Sequence, residues 1–189
     1  MRIPGALRER LAKVQLLVFD VDGVLTQGDI IYTDAGAEAK TFDVKDGLGI
    51  RVASDLGLGL ALMTGRTSQL VQRRARDLRI PEVLQRVGDK GAALRKLAEG
   101  KGIPIEQVAF MGDDLNDREA MRLAGVAIAP ADAAAEIRRE ADLVTEAPGG
   151  RGAAREAVEA ILRAQGRWEE AVNRYLEGLV QRDRARRTD

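Results

Sequence analysis

An apolar run that stops abruptly on two aspartates constrains this chain more than any other feature. In VQLLVFDVDGVLT, residues 14–26, Leu16, Leu17, Val18 and Phe19 make a short continuous hydrophobic stretch, followed at once by Asp20 and Asp22. Such a run fits a strand buried on both faces. At the carboxyl end of a parallel strand, where α/β sheets hold their ligands, two carboxylates this close stay ionised together only with a cation between them. A hard divalent metal with oxygen ligands meets that need.

A sheet covered on both faces needs a sizeable core, and 189 residues with 45% hydrophobic content supply one. One globular domain over residues 1–165 is expected, followed by a charged tail, 166–189, that reads as a helix fraying into disorder. There is no cysteine and no histidine, which excludes disulfides, thiolate catalysis and histidine-ligated zinc. Acid–base chemistry near neutral pH therefore falls to carboxylates or a shifted lysine. Thirty basic residues cancel thirty acidic ones, and the chain holds one Trp, two Tyr and three Phe. That removes the global electrostatic case for nucleic acid or a membrane surface and argues against base stacking. The N-terminal stretch MRIPGALRERLAKV lacks the apolar core of a signal peptide, and the apolar run near residues 57–63 is too short to span a bilayer. A cytoplasmic location is expected.

Ahead of the first strand, residues 5–13 predict a short amphipathic helix. After it, Ile30–Thr33 and Lys40–Val44 flank a turn-like Asp34, Ala35 and Gly36, which predicts a β-hairpin over about 29–44. The hairpin is either plain surface structure or a small flap beside the acidic strand end. From Asp46 the pattern alternates. Helices are predicted at 47–56, 68–78 (capped by Thr67 or Ser68), 90–99, 115–124, 133–140 and 152–165, between strands at 58–63, 83–85, 108–111, 126–129 and 143–145. Alternation of this kind specifies a doubly wound parallel sheet, α/β and Rossmann-like.

Four polar clusters fall at predicted strand ends: DVDGVLT at 20–26, TGR at 64–66, Lys90, and GDDLND at 112–117. Each alone is commonplace, since Asp-x-Asp is frequent on surfaces, Thr-Gly-Arg makes a turn and a lysine often opens a helix in solvent. Four in successive strand units converge on one edge of a parallel sheet.

This set resembles the haloacid dehalogenase superfamily of aspartate-nucleophile phosphotransferases, over roughly residues 14–145. The resemblance implies that Asp20 is the nucleophile and Asp22 the general acid and base, with its main-chain carbonyl a metal ligand. Thr64 would hydrogen-bond the transferring phosphoryl group, and Lys90 would supply positive charge to it and to Asp20. Asp113 would complete a Mg2+ site with Asp20, and Asp114 and Asp117 would orient a metal water and the lysine. An aspartate at position 22 favours a phosphatase over a dehalogenase, because an alkoxide leaving group needs a proton and a halide does not; a purely metal-orienting Asp22 is the rival reading.

Thr26–Asp46 and Arg66–Lys90 leave no room for the cap domain that many relatives insert, and an uncovered site stays wet. The missing wall is expected from another subunit. The capless layout, with the words DVDGVLTQGDIIY, KTFDVKDGLGI, MTGRTS, DKGAAL, FMGDDLND and PGGRGAAREAVEAILRAQGRW, is similar to the 3-deoxy-D-manno-octulosonate 8-phosphate (KDO 8-phosphate) phosphatases over nearly all of residues 14–168. That similarity implies a small sugar acid phosphate as substrate and a homotetramer. Hairpins would assemble centrally, and a C-terminal segment would reach a neighbour's site. It assigns Lys45, Asp46, Gly65 and Arg66 to the sugar or phosphate pocket and Arg151 to the tail contribution. Plain alternatives stay open: Arg66 as a helix cap or a partner of Asp89, Lys45 as an exposed charge, Asp46 as the cap of its own helix, and the GGRG turn as a simple link. Gln27 stands where the family usually has an aspartate, and Ala133–Ala135 replaces a segment that often holds histidine and proline. These departures keep two other readings in view, a phosphatase of nine-carbon sialic acid-type 9-phosphates and a catalytically idle assembly module. A phosphomutase would need the cap that is missing here.

Overall fold

In chain order the computed structural model runs α1 (Gly5–Ala12), β1 (Leu16–Phe19), β2 (Ile31–Tyr32), β3 (Glu38–Ala39), α2 (Val44–Asp55), β4 (Gly59–Met63), α3 (Gln69–Leu78), β5 (Glu82–Leu84) and α4 (Lys90–Lys101). It continues β6 (Val108–Met111), α5 (Arg118–Leu123), β7 (Val126–Ala129), α6 (Ala135–Glu140), β8 (Leu143–Val144), α7 (Ala153–Ala164) and α8 (Trp168–Arg186). Residues 3–34, 36 and 38–186 are described, with side chains through residue 181. Ala35 of the expected turn and the last residues of the expected fraying tail lie outside them.

Six strands form one parallel sheet in the order β5-β4-β1-β6-β7-β8, so the doubly wound expectation holds. β1 is central, its Phe19 opposite Leu62 of β4 and Met111 of β6. All four of its side chains are fully buried, and alternation explains why a continuous apolar run was required. Leu17 and Phe19 point toward the layer of α1, α2 and α7, while Leu16 and Val18 point toward α4, α5 and α6. Each such side chain contributes about 1.5–3 kcal/mol of burial. Strand order reverses at β1, with β4 on one side and β6 on the other, so the crevice beyond their carboxyl ends is the place for a ligand.

The hairpin is present but shifted. Its second strand is Glu38–Ala39 and not Lys40–Val44, because Asp43 ends the extended run by capping α2. The Asp43 carboxylate accepts from the backbone N–H groups of Lys45 and Asp46 at 2.6 and 3.2 Å, which starts the helix three residues earlier than the hydrophobic period suggests. The expected helix 115–124 is split into a 3-10 turn at Leu115–Asp117 and α5.

The C-terminal third is part of the core. In α7, Ala153, Ala154, Ala157, Val158, Ile161 and Leu162 are buried, chiefly against α2 and α1. A bend at Gln165 and Gly166 leads to α8, which buries Trp168 and Ala171. The guanidinium groups of Arg155 and Arg163 lie 4.9 and 5.1 Å from the Trp168 ring, a pair of cation–π contacts that ties the two helices. No helix among the described residues is long and apolar enough to cross a membrane.

Candidate active site

The crevice at the strand reversal is built from three loops. β1 delivers Asp20, 4% exposed, whose backbone N–H is held by the Met111 carbonyl of β6 at 2.9 Å. β6 delivers Asp113 two residues after its end, and α4 begins with Lys90, 2% exposed, directly after its cap residue Asp89. The Lys90 ammonium donates to Asp20 Oδ1 at 2.7 Å and to Asp117 Oδ1 at 2.5 Å. Asp117 is completely buried, and its other oxygen accepts from the backbone N–H groups of Asp113 and Asp114 at 2.9 and 3.3 Å.

One ammonium thus faces three carboxylates, and the imbalance shows in their acidities. Burial, then repulsion from Asp117, pushes Asp20 up to about 6, against the pull of Lys90. Burial, then Asp20, Asp117 and Asp114, pushes Asp113 up to about 8. Burial works against the Lys90 charge, but the two carboxylates outweigh it and raise its pKa.

Single oxygens of Asp20, Asp113 and Asp117 lie within 4.8 Å of one another, close enough to share a cation. Asp117 already has both oxygens engaged by Lys90 and backbone N–H groups, so Asp20 and Asp113 are the pair left to hold a metal. An oxygen-only donor set short of positive charge fits a hard divalent ion. Gly23 explains how the pair comes together. It sits at φ +98°, and a Cβ there would fall 2.0 Å from Asp113 Oδ2, so only glycine admits the second carboxylate.

The loop is clasped from the far end of the sequence. A Cβ on Gly149 would lie 1.8 Å from the Gly23 carbonyl oxygen, and the Gly150 N–H donates to the Val24 carbonyl at 2.8 Å. This places Arg151 over its own chain, its guanidinium donating to Gln27 Oε1 at 3.2 Å. The glycine-rich turn is therefore more than a link, and Arg151 stands beside the loop of its own subunit.

The other expected residues separate. Thr64 is buried at the end of β4, its hydroxyl accepting the Arg66 N–H at 3.2 Å, and Gly65 is exposed beside it. The Arg66 guanidinium pairs with Glu38 of the hairpin at 3.3 Å, and not with Asp89, which caps α4. Lys45 is exposed in the first turn of α2. Asp46 is 2% exposed and does not cap its own helix, which is capped by Asp43. Its two oxygens accept from the N–H groups of Gly152 and Arg155 at 3.0 and 2.8 Å, so it caps α7. Asp114 is exposed and bonded to the adjacent Leu115 N–H.

Asp22 brings in a residue that sequence reasoning missed. Its carboxylate is paired with the ammonium of Lys40, whose side chain is 1% exposed. Lys40 also lies 3.5 Å from Glu38 Oε1, so Asp22, Lys40, Glu38 and Arg66 form a line of alternating charge across the base of the hairpin. Lys40 opens the KTFDVKDGLGI word, but nothing in that word pairs it with Asp22, and only the closing of the hairpin over the loop reveals the contact.

Residues 78–155 match the haloacid dehalogenase-like hydrolase family. The 3-deoxy-D-manno-octulosonate 8-phosphate phosphatase KdsC of Escherichia coli (strain K12) is 42% identical over 158 residues, 84% of this chain and 84% of that protein. Among solved structures, the Moraxella catarrhalis 3-deoxy-D-manno-octulosonate 8-phosphate phosphatase, in complex with magnesium ion, phosphate ion and a KDO molecule, is 38% identical. It superposes with a TM-score of 0.87 over 90% of this chain and 98% of that one. The cobalt-bound Haemophilus influenzae enzyme, also 38% identical, gives 0.80 over 83% of this chain and 92% of its own.

Proposed function

This chain belongs to the KDO 8-phosphate phosphatase family of haloacid dehalogenase-like hydrolases, and we propose that it hydrolyses KDO 8-phosphate to KDO and inorganic phosphate through a phosphorylated Asp20. The observation that carries the reading is the buried Asp20–Lys90–Asp117 set facing Asp113 at the strand reversal.

Asp20 attacks phosphorus in line; the P–O bond to the sugar breaks, and Asp22 gives the departing oxygen a proton. Asp22 then takes a proton from water as that water attacks the aspartyl-phosphate, releasing phosphate and restoring Asp20. Lys90 offsets the charge brought together by nucleophile and phosphate. Thr64, at the end of the neighbouring strand, donates to a phosphoryl oxygen. The cofactor is magnesium; Asp20, Asp113 and the Asp22 main-chain carbonyl would hold it, and it would supply positive charge to offset that of the carboxylates and the phosphate. Asp117 keeps Lys90 and the Asp113 loop in place, and Arg66 and Arg151 contribute cations at the rim for a sugar acid.

The enzyme acts as a homotetramer in the cytoplasm. Supporting the assembly, Ile30, Ile31 and Tyr32 on the hairpin, Val44 at the start of α2 and Leu115 beyond Asp114 are exposed, and all lie in connections at the carboxyl edge of the sheet. A lone two-stranded hairpin with an exposed apolar face is marginal by itself and gains a partner in an oligomer.

Purified protein with magnesium should release phosphate from KDO 8-phosphate, faster than from a nine-carbon sialic acid-type 9-phosphate or an aryl phosphate. Release from none of the three ends the enzyme reading, and a preference for the nine-carbon compound reassigns the sugar. Light scattering tests assembly: a fully active monomer contradicts a site completed by a neighbour.

A further inference from the structure

Lysine is almost never fully buried unless it is paired. Lys40 meets that condition on one partner that matters for turnover, Asp22, with Glu38 behind it at 3.5 Å. The hairpin that carries Lys40 contributes only two residues per strand and exposes Ile31 and Tyr32, so its outer part adds little to the core. Its base, in contrast, sets a buried ammonium against a carboxylate that sits on a loop and is 20% exposed.

Asp22 follows β1 in a turn of the loop, and a side chain so placed has rotamer freedom that its acid–base role cannot tolerate, since proton transfer needs a heavy-atom approach of about 3 Å. Lys90, the other buried amine of the site, is engaged by Asp20 and Asp117 and does not reach it. Among the described residues, Lys40 is the cation paired with Asp22.

We propose that Lys40 is a positioning residue for hydrolysis of the phosphoenzyme: it holds the Asp22 carboxylate where that group takes a proton from the attacking water. In that step an O–H bond of water breaks toward Asp22, a new P–O bond forms, and the bond between phosphorus and the Asp20 oxygen breaks. The inference rests on the phosphatase reading above, with Asp22 as the base. An ammonium beside the carboxylate suits the second half-reaction, in which Asp22 begins as an anion. The hairpin thus supplies a working part of the site and is more than a wall.

The test separates the two half-reactions with 2,4-dinitrophenyl phosphate, whose leaving group departs without a proton. The holoenzyme with magnesium is compared in four forms: wild type, Lys40→Met, Asp22→Asn and the double variant. For Lys40→Met, kcat should fall by about 100-fold while kcat/KM, which reports only steps through phosphorylation of Asp20, stays within about 3-fold. KM falls with kcat, rapid mixing gives a burst of dinitrophenol approaching one per site, and intact-mass spectrometry of quenched samples finds the phosphorylated chain. In the Asp22→Asn background Lys40→Met should add less than about 3-fold, because it acts through the residue already lost. Lys40→Arg should recover much of kcat. Should the methionine form not fold, Lys40→Gln serves with the same expectations.

A burst in Asp22→Asn but none in Lys40→Met overturns the role given to Lys40 and leaves the phosphatase reading standing. The absence of a burst in Asp22→Asn overturns both. Equal losses in kcat and kcat/KM for Lys40→Met also overturn the proposal, since they point to a general effect on binding or folding.

Discussion

Lys90→Met removes the ammonium bonded to two buried carboxylates, Asp20 and Asp117, and its consequence follows from the distances. At an effective dielectric of about 20, unit charges at the 2.7 Å Lys90–Asp20 separation attract by roughly 6 kcal/mol, and the 2.5 Å Asp117 contact adds a similar amount. Part of that gross attraction only offsets the desolvation of the ammonium, which methionine no longer suffers, so the net loss for a broken buried pair is about 3–5 kcal/mol. Spread over a domain of this size, the loss lowers Tm by roughly 10 °C in the metal-free protein at neutral pH. The deficit should shrink on acidification, as protons replace the missing cation on Asp20, and should shrink again on adding magnesium. Turnover should fall by about 100- to 1000-fold, because the charge that stabilises phosphoryl transfer is gone. Differential scanning calorimetry at pH 5 and pH 7.5, with and without magnesium, reads the first part and phosphate release the second. A metal-free Tm within 2 °C of wild type at pH 7.5 would refute the claim that Lys90 neutralises the cluster.

Asp20→Asn should abolish turnover yet raise the metal-free Tm, since it removes one of the mutually repelling buried charges; residual turnover near the wild-type rate would remove Asp20 as the nucleophile. Asp20 and Asp113 have folded pKa values of about 6 and about 8 without metal, above the ordinary 3.8, so the stability they contribute is complete below 3.8 and is lost as pH rises through those values. Metal-free Tm should therefore decline from about pH 4 to about pH 8, with magnesium flattening the decline. At pH 7 calorimetry in two buffers should find about one proton released per magnesium bound, mostly from Asp113; no release would contradict its raised value. Gly149→Ala puts a methyl group 1.8 Å from the Gly23 carbonyl oxygen and should cost about 1–3 kcal/mol in urea unfolding while lowering kcat, and an unaffected kcat would mean the clasp does not shape the Asp20 loop. Arg151→Ala should raise KM for the sugar acid phosphate several-fold with little change in Tm; an unchanged KM leaves Arg151 as a bridge to Gln27 alone.

The clustering of Asp20, Lys90 and Asp113 was legible because these residues sit where regular patterns stop: Asp20 ends an apolar run, Asp113 follows another, and Lys90 opens a helix behind an aspartate cap. Position relative to a strand end is local information. What remained hidden depends on distant segments. Asp46 reads as the start of its own helix, but its carboxylate holds the first turn of α7 more than a hundred residues away. Lys40–Val44 has the composition of a strand, and the competing signal, Asp43 capping the N–H groups of Lys45 and Asp46, lies inside the same five residues. Burial of the Lys40 side chain depends on how the hairpin folds back on the Asp22 loop, which no spacing rule encodes. The sheet, being specified by six apolar runs, tolerated such errors at its edges.

The central place of β1 has a consequence for synthesis. This strand leaves the ribosome among the first, yet its second neighbour, β6, begins only at Val108, roughly ninety residues later, or about 5–20 s at common elongation rates. Through that interval a wholly apolar strand waits with at least one edge uncovered, a long-range pairing of the slow-folding kind. The Asp20 loop is not closed until Gly149 arrives against Gly23, with α7 still to follow. A nascent or prematurely terminated chain can therefore carry both aspartates of the first motif without ever holding a formed site, and phosphate chemistry begins only when synthesis is nearly complete.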